Sequence, residues 1–190
     1  MEIAQSVLFI CWIIFLGYWV VSARSVKQTE EEVGGIGGYW HWILIAIGFL
    51  AMETSSVFTF DIYLLPNLFS SVIIQILSII CSILGLTIAI LARKELAENW
   101  SGSVTFKKNH ELITKGVYHY MRHPIYTGVL LMIIASGLLI GTIGAVVGFV
   151  IIFLTFWFKF KQEEELMTKH FSKEYPHYKK KVKALIPYLF

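Results

Sequence analysis

The chain has 190 residues, of which 56% are hydrophobic and only 15% are charged, and its formal net charge is +3. Because a soluble domain carries about 25% charged residues, this composition argues against an ordinary soluble fold and indicates that lipid surrounds much of the surface. The mild positive charge does not indicate a nucleic-acid-binding protein. Cys11 and Cys81 both lie within apolar runs, so they predict neither a disulfide framework nor a metal site.

Three apolar segments are long enough to cross a membrane, which takes about 20 residues. They cover residues 3–23, 39–60 and 70–92. The first segment carries Glu2 and no basic residue ahead of its apolar run, which predicts a retained helix rather than a secretory signal. The acidic and glycine-rich linker that follows (EEEVGGIGG) predicts a solvated turn, and the connection after the second segment is short and contains Pro66.

Residues 125–140 and 145–158 form a further apolar pair, separated by Gly-Thr-Ile-Gly. At a rise of 1.5 Å per residue each arm is about 21–24 Å long, slightly less than a hydrocarbon core of about 30 Å. We therefore predict a short helical hairpin that spans marginally or re-enters. Its small residues are expected to let the two arms approach closely; they are Gly137, Gly141, Gly144 and Gly148.

The basic residues predict the orientation of the chain. All 16 Lys and Arg lie in the first linker, in residues 93–122 or in the tail from residue 159, and none lies at residues 61–69 or at the hairpin tip. With five passes these two groups fall on opposite sides, and the positive-inside rule predicts an N-terminus outside, with the polar region and the C-terminal tail in the cytoplasm. The expected fold is an all-α integral membrane protein with about five transmembrane helices. It would comprise a three-helix membrane region (1–92) and a second region (93–190) that includes the hairpin (125–158).

Two polar clusters stand on this predicted cytoplasmic side, at residues 110–126 and 159–178. Both are rich in titratable and aromatic side chains, which favours one composite active site in a membrane enzyme over an anchor or a pore. The histidine spacing does not match a zinc motif such as HExxH, so no metal site is predicted.

The motif Arg122-His123-Pro124-x-Tyr126-x-Gly128 lies where polar surface becomes membrane helix. Pro is well placed in a first helical turn, so His123 is expected at or near the helix cap, beside free backbone N–H groups. A helix N-terminus favours anionic groups, such as the carboxylate of a substrate or cofactor. The alternative is an interfacial anchor, because Arg, His and Tyr are common among lipid headgroups.

Glu163, Glu164 and Glu165 follow the last apolar segment, and on a helix they point about 100° apart. At most two of them can face the first cluster; the rest would be a solvated charge run. Lys159 lies one turn before Glu163 on the same face and could orient a carboxylate substrate beside a polar cofactor. Arg93 is expected at the C-terminal end of the third span, where it complements the helix dipole and is long enough to reach a substrate.

These motifs together resemble the isoprenylcysteine carboxyl methyltransferase family. The resemblance covers about half of the chain, from residue 93 onward, and includes the polar motif, the hairpin and the Glu163-Glu164 pair that follows it. Members of this family transfer a methyl group from S-adenosylmethionine (SAM) to the carboxylate of a prenylated cysteine. The resemblance implies a cytosolic cofactor pocket formed by residues 93–124 and the C-terminal tail, with membrane lipid and a lipid-modified cysteine as partners.

The resemblance also implies roles for individual residues. Those expected to contact SAM are His110, Leu112, Ile113, Tyr118, His123, Pro124, Tyr126 and Glu163, with Glu164 as a close rival to Glu163. Lys159 stands where the family typically offers an Arg to the substrate, and it is the candidate catalytic residue together with Arg93. Because Lys cannot form the planar two-pronged grip of Arg on a carboxylate, this departure leaves the identity of the substrate open.

Three other functions fit parts of the pattern. A phospholipid N-methyltransferase shares this architecture but has to deprotonate an amine, for which His119 or Glu164 could serve as the base. A sterol-type reductase would bind NADPH and should cluster several Arg near the site, where only Arg122 is expected. A non-enzymatic membrane scaffold would use both polar clusters as interfacial belts.

Overall fold

The computed structural model describes residues 1–33, 40–53 and 71–189, and it is mostly helical. Within these residues, six α-helices, two strands and two 3-10 turns follow in chain order: α1 (Glu2–Ser22), β1 (Thr29–Glu32), α2 (Trp40–Glu53), α3 (Val72–Leu96), a 3-10 turn (Ala97–Asn99), β2 (Thr105–Lys107), a second 3-10 turn (Gly116–His119), α4 (Pro124–Ile140), α5 (Ile143–His170) and α6 (Glu174–Lys181). The glycine-rich part of the first linker, the end of the second apolar segment and the connection around Pro66 lie outside the described residues.

Three of these helices, α1, α3 and α5, are long and apolar enough to cross a membrane. Many of their large apolar side chains are exposed, with Ile3 76% and Ile73 70% accessible. Exposed apolar faces of this size are expected where lipid is the solvent, so the chain is an integral membrane protein with a helical fold. The shorter apolar helices α2 and α4 leave the total of five spans a prediction.

Helix α5 is longer than the predicted arm, because it continues from the membrane segment to His170 and has 28 residues. The Thr142 hydroxyl caps its start by accepting from the Ala145 N–H at 3.3 Å. No Gly or Pro interrupts residues 149–170, so nothing breaks the helix at the membrane surface. As a result, Lys159 and the three glutamates share one rigid element with the apolar arm.

We predicted that small residues bring the two hairpin arms together, but the closest glycine contacts join other pairs of helices. The main contacts of α4 are with α3, and those of α5 are with α2. A Cβ atom on Gly128 would lie 2.5 Å from the Gly85 carbonyl oxygen in α3, and one on Gly148 would clash with α2 at Gly48. The prediction that Gly148 joins the two hairpin arms was therefore wrong, because the backbones that approach most closely are those of the α3–α4 and α2–α5 pairs. At the hairpin tip, Gly141 has a φ of 68° and ends α4 in the left-handed region that favours glycine.

A short antiparallel sheet accompanies the helices of this mostly helical fold. Strand β1 in the first linker pairs with β2, with Thr29 opposite Lys107 and Glu32 opposite Thr105. Lys27 extends this link, because its Nζ donates to Asn99 Oδ1 at 2.9 Å and to the Asn109 carbonyl at 2.8 Å. The first linker and the polar region after α3 therefore lie on the same side of the bundle.

The C-terminal tail returns to the start of α4. The Arg122 N–H donates to the Lys183 carbonyl at 2.8 Å, and the His123 N–H donates to the Ala184 carbonyl at 2.9 Å. The Thr127 hydroxyl donates to the Leu185 carbonyl at 2.8 Å. These bonds hold the end of the C-terminal tail against the first polar cluster and the start of α4.

Candidate active site

A cavity of about 550 Å³ lies between the two polar clusters and the apolar helices. Part of its lining belongs to the apolar helices α1, α2 and α5: Trp12, Phe15, Trp19, Ile45, Phe49 and Phe156. Another part belongs to the polar clusters: His110, Tyr118, His123, Tyr126, Lys159 and Glu163. One space is therefore lined both by apolar side chains of the helices and by charged side chains of the polar clusters.

His123 lies between the two clusters as the N-cap residue of α4, as the sequence predicted. Its side chain is 9% exposed, with Nε2 3.2 Å from Glu164 Oε1 and Nδ1 3.7 Å from Glu163 Oε2. The ring also stacks on Phe160, with ring centroids 4.8 Å apart. The imidazole is thus held by α5 on two sides.

The two adjacent glutamates have different environments. Glu164 Oε1 accepts from Arg122 Nε at 2.9 Å and from Nη2 at 2.6 Å, and its Oε2 lies 2.6 Å from Lys179 Nζ in an ion pair outside hydrogen-bond geometry. Its side chain is 1% exposed. Glu163 instead lines the cavity and accepts a hydrogen bond from the Tyr126 hydroxyl at 2.6 Å. Glu163 is therefore the carboxylate available to a ligand, whereas Glu164 holds the clusters together.

Lys159 brings a positive charge into the cavity one helical turn before Glu163. Its side chain is buried, and its Nζ donates to the Gly102 carbonyl at 2.7 Å. The ammonium group also lies 5.7 Å from the ring centroids of both Trp42 and Tyr126, within the range of cation–π attraction. An ammonium flanked by aromatic faces and lining a cavity is suited to an anionic ligand.

Arg93 does not line the cavity, although the sequence made it a candidate contact of the substrate. Its Nη2 donates to the Ser22 carbonyl and its Nη1 to the Ala97 carbonyl, both at 2.5 Å. The guanidinium carbon lies 4.7 Å from the centroid of the Trp100 ring. The C-terminal ends of helices have carbonyls without a partner inside the helix. The Arg93 side chain donates to such carbonyls at the ends of α1 and α3 and so connects the two helices.

His110 lines the cavity from the first cluster and stacks against Phe106, with centroids 4.9 Å apart. Its Nδ1 accepts from the Lys107 backbone N–H at 3.2 Å, so the neutral ring carries its proton on Nε2. Burial, reinforced by the charges of Lys27, Lys107 and His170, lowers the pKa of His110 to about 4. At neutral pH this histidine is an uncharged hydrogen-bond donor.

The cavity brings together all of the predicted cofactor residues except Pro124. Leu112, Ile113 and Tyr118 line it together with the residues described above, whereas Pro124 is buried at the first position of α4. Burial raises the pKa of the Tyr118 phenol well above its ordinary value, so its hydroxyl stays protonated.

Among the lining residues that were not predicted as site residues, two groups differ in the sequence signal that they carry. Trp12, Phe15 and Trp19 follow one face of α1 at helical spacing, a pattern that the sequence does contain. The other group, residues 101–103 with the Gly102 carbonyl, carries no sequence signal, because a backbone carbonyl is the same in every residue. Across the described residues, no group of three potential metal ligands is present.

Comparison with known proteins agrees with this geometry. The pattern of the Isoprenylcysteine carboxyl methyltransferase (ICMT) family matches residues 73–169, which contain α3, both polar segments up to Lys169 and the hairpin. The chain belongs to the ICMT family. The protein-S-isoprenylcysteine O-methyltransferase of Schizosaccharomyces pombe is 28% identical over 165 residues, which cover 79% of this chain and 68% of that protein.

Two further relatives of the ICMT family carry the same name. The protein from Dictyostelium discoideum is 30% identical over 57% of this chain and 47% of its own length. The protein from Saccharomyces cerevisiae is 32% identical over 58% of this chain and 50% of its own length. The ICMT-family chain described here thus spans about half the length of these two relatives and about two thirds of the first.

Proposed function

We propose that this protein is a SAM-dependent carboxyl O-methyltransferase that acts on a prenylated C-terminal cysteine or a similar lipid carboxylate. Membership of the ICMT family and the names of the relatives support this reaction. The observation that carries the proposal is the single cavity in which Lys159 and Glu163, one turn apart, share space with aromatic side chains at membrane depth. A substrate with one charged end and one long apolar tail fits such a lining.

The residues of the polar clusters fit the chemistry of the methyl donor. When bound, SAM would supply an electrophilic methyl group on a sulfonium sulfur. Glu163 offers a carboxylate to its amino group or ribose hydroxyls, and Tyr118 and Tyr126 offer aromatic faces. Because His110 is uncharged at neutral pH, it adds a donor without repelling a cationic cofactor.

Lys159 is the residue that we assign to the substrate carboxylate. A chain-terminal carboxylate has a reference pKa of about 3.5, so it is ionised at neutral pH and needs no general base. One of its oxygens forms the new O–CH₃ bond as the S–CH₃ bond breaks, which leaves a neutral ester and a neutral thioether, and no proton moves. The contribution of the protein is then to align the reacting atoms and to exclude water from the carboxylate.

The apolar part of the cavity suits a prenyl tail. Its aromatic and aliphatic lining from α1, α2 and α5 would remove the hydrocarbon from contact with water, and burial of each CH₂ contributes about 0.8 kcal/mol. In this proposal the cavity opens to the cytoplasm and the N-terminus lies outside, with five helices spanning the bilayer. Residues 1–92 would form the membrane region and residues 93–190 the catalytic region.

The contacts around the site argue against the alternative functions. An N-methyltransferase requires a base, but Glu164 is occupied by Arg122, His123 and Lys179, and His119 is exposed outside the cavity lining. A reductase would require arginines for the additional phosphate of NADPH, but the Arg122 guanidinium is paired with Glu164.

Methyl transfer from labelled SAM tests the proposal directly. The purified protein is incubated with SAM carrying a labelled methyl group and either a farnesyl-cysteine analogue or phosphatidylethanolamine. We expect label on the cysteine analogue that base treatment releases, because a methyl ester is base-labile. Base-stable label on phosphatidylethanolamine, with none on the cysteine analogue, would overturn the proposal in favour of N-methylation.

The role of Lys159 is tested by comparing the substitution Lys159→Met with the control Lys161→Met. Lys161 is exposed on the same helix, so the control removes the same charge outside the cavity. Loss of a hydrogen bond to a charged group costs about 1.5–3 kcal/mol, so we expect Lys159→Met to lower kcat/KM for the cysteine analogue by roughly ten- to a hundredfold. The Kd for SAM should change far less, and an equal loss of SAM affinity would contradict the assignment to the substrate.

A further inference from the structure

The end of the chain carries a basic and apolar surface that takes no part in the cavity. We call this surface the C-terminal foot. It consists of Lys180, Lys181, Lys183, Ile186, Tyr188 and Leu189, all of which are exposed. The exposed fractions of its apolar members are large, at 49% for Ile186, 87% for Tyr188 and 74% for Leu189.

Helix α6 is oriented by its buried face, which leaves these lysines outside. Tyr175 and Tyr178 are buried, and the Tyr178 hydroxyl donates to the Tyr118 carbonyl. Lys179 reaches Glu164. Within the described part of the chain, the side chains of Lys180, Lys181 and Lys183 are exposed and form no hydrogen bond or ion pair, so their three positive charges have no partner there.

The position of the foot relative to the bilayer follows from the backbone bonds of the preceding residues. The carbonyls of residues 183–185 accept hydrogen bonds from Arg122, His123 and Thr127. These donors surround the first turn of α4, where Pro124 begins the apolar helix. The foot therefore lies at the depth at which α4 meets the membrane surface.

We propose that the C-terminal foot binds the headgroups of an anionic bilayer leaflet, with Ile186, Tyr188 and Leu189 inserted at the interface. Clustered lysines beside a membrane helix are attracted to anionic lipids, and tyrosine prefers the headgroup region. An acidic protein segment would complement the same charges, but it would not explain three exposed apolar side chains next to the start of a membrane helix. The combination of basic and apolar groups matches surfaces that lie in a membrane interface.

Hydrogen exchange of the full-length protein in nanodiscs tests this proposal. Exchange of residues 182–189 is compared in discs of phosphatidylcholine alone and in discs that contain 30% phosphatidylglycerol. Each lysine near an anionic surface strengthens attraction by about fivefold, so we expect these amides to exchange at least about fivefold more slowly in the anionic discs. High salt should reduce the difference, because it screens exposed charges.

Two charge-matched variants make the outcome specific. The triple change Lys180→Gln, Lys181→Gln and Lys183→Gln should abolish the difference between the discs. The control Lys94→Gln, Lys108→Gln and Lys115→Gln removes three exposed charges outside the foot and should retain the difference in exchange between the discs.

Two results would overturn the proposal. One is equal exchange of the wild-type protein in both kinds of disc, and the other is a difference that both variants lose to the same extent. Protection by an acidic peptide but not by phosphatidylglycerol would assign the foot to a protein partner instead. An unfolding temperature equal to that of the wild type would verify the fold of the foot variant.

Discussion

Glu163 and Glu164 are neighbours in the chain, but their surroundings give them different tasks. Glu164 is enclosed by Arg122, His123 and Lys179, whereas Glu163 accepts from the Tyr126 hydroxyl, lies 3.7 Å from His123 Nδ1 and faces the cavity. Because a helix turns by about 100° per residue, two adjacent carboxylates cannot share one direction. From the sequence alone, either glutamate could be the residue that contacts the ligand. The contacts of α5 with the first polar cluster decide between them, because they occupy Glu164 and leave Glu163 facing the cavity.

The substitution Glu164→Gln should destabilise the fold strongly. Removing one member of a buried ion pair leaves the other charge uncompensated, which costs about 3–5 kcal/mol. The neighbouring change Glu165→Gln is the matched control, since Glu165 is exposed, and exposed substitutions usually stay within about 0.5 kcal/mol. Thermal unfolding of both variants in one mild detergent compares them, and equal melting temperatures would show that the Arg122–Glu164 pair does not hold the clusters together.

His110 predicts a pH dependence of stability. Its pKa in the folded protein is about 4, below the unfolded value of about 6.5, so the unfolded chain binds a proton first. The free energy of unfolding should therefore decrease as the pH falls from about 6.5 towards 4. Thermal unfolding at several pH values, repeated with His110→Asn, measures this contribution. An identical pH dependence in both proteins would contradict the neutral, buried state of His110.

Sequence reasoning was more informative for some site residues than for others. The cavity contains Lys159 and Glu163 because a one-turn spacing on a helix fixes their common face. The position of Arg93 could not be predicted in the same way, since a long side chain at a helix end can reach either a ligand or a neighbouring carbonyl. In this fold the Arg93 guanidinium donates to the carbonyls of Ser22 and Ala97.

At the scale of elements, the apolar runs predicted where the helices lie in the sequence but not which helices pack against each other. Helix pairing depends on where small residues let two backbones meet, and the chain has glycines on several helices. The pairs that form are Gly85 with Gly128 and Gly48 with Gly148. Strand β1 was not predicted either, because Thr-Glu-Glu-Glu has little β-propensity. It is held by tertiary contacts, among them Glu31, which accepts from Lys169 Nζ at 2.7 Å and lies 2.8 Å from His170 Nε2.

The change Gly128→Ala should separate α3 from α4. The added methyl group would lie 2.5 Å from the Gly85 carbonyl oxygen and 2.8 Å from the Ala89 nitrogen, and neither backbone atom can move without shifting a helix. Overpacking of this kind costs about 1–3 kcal/mol, which a lower unfolding temperature would reveal. Gly17→Ala is the matched control, because nothing lies within 4 Å of its added Cβ. Equal stability of the two variants would contradict the close α3–α4 approach.

At the scale of the whole molecule, the central feature is the meeting of two polar clusters that lie on either side of the hairpin in sequence. The composition and the distribution of basic residues predicted a membrane bundle with both clusters on one side. They could not predict how the clusters are joined, because that depends on the direction of each side chain of α5, such as that of Glu164 towards Arg122 and His123. The function that we propose requires these clusters to hold one methyl donor between them.

Isothermal titration of SAM into the wild-type protein and into His123→Ala, Glu163→Ala and Glu165→Ala tests this requirement most directly. His123 represents the first cluster, Glu163 the second, and the exposed Glu165 serves as the control. We expect the wild type and Glu165→Ala to bind SAM equally, and each of the other two variants to lose at least about 1 kcal/mol of binding free energy. If the wild type does not bind SAM, or if His123→Ala and Glu163→Ala bind it as tightly as the control does, the two clusters do not form a methyl-donor site.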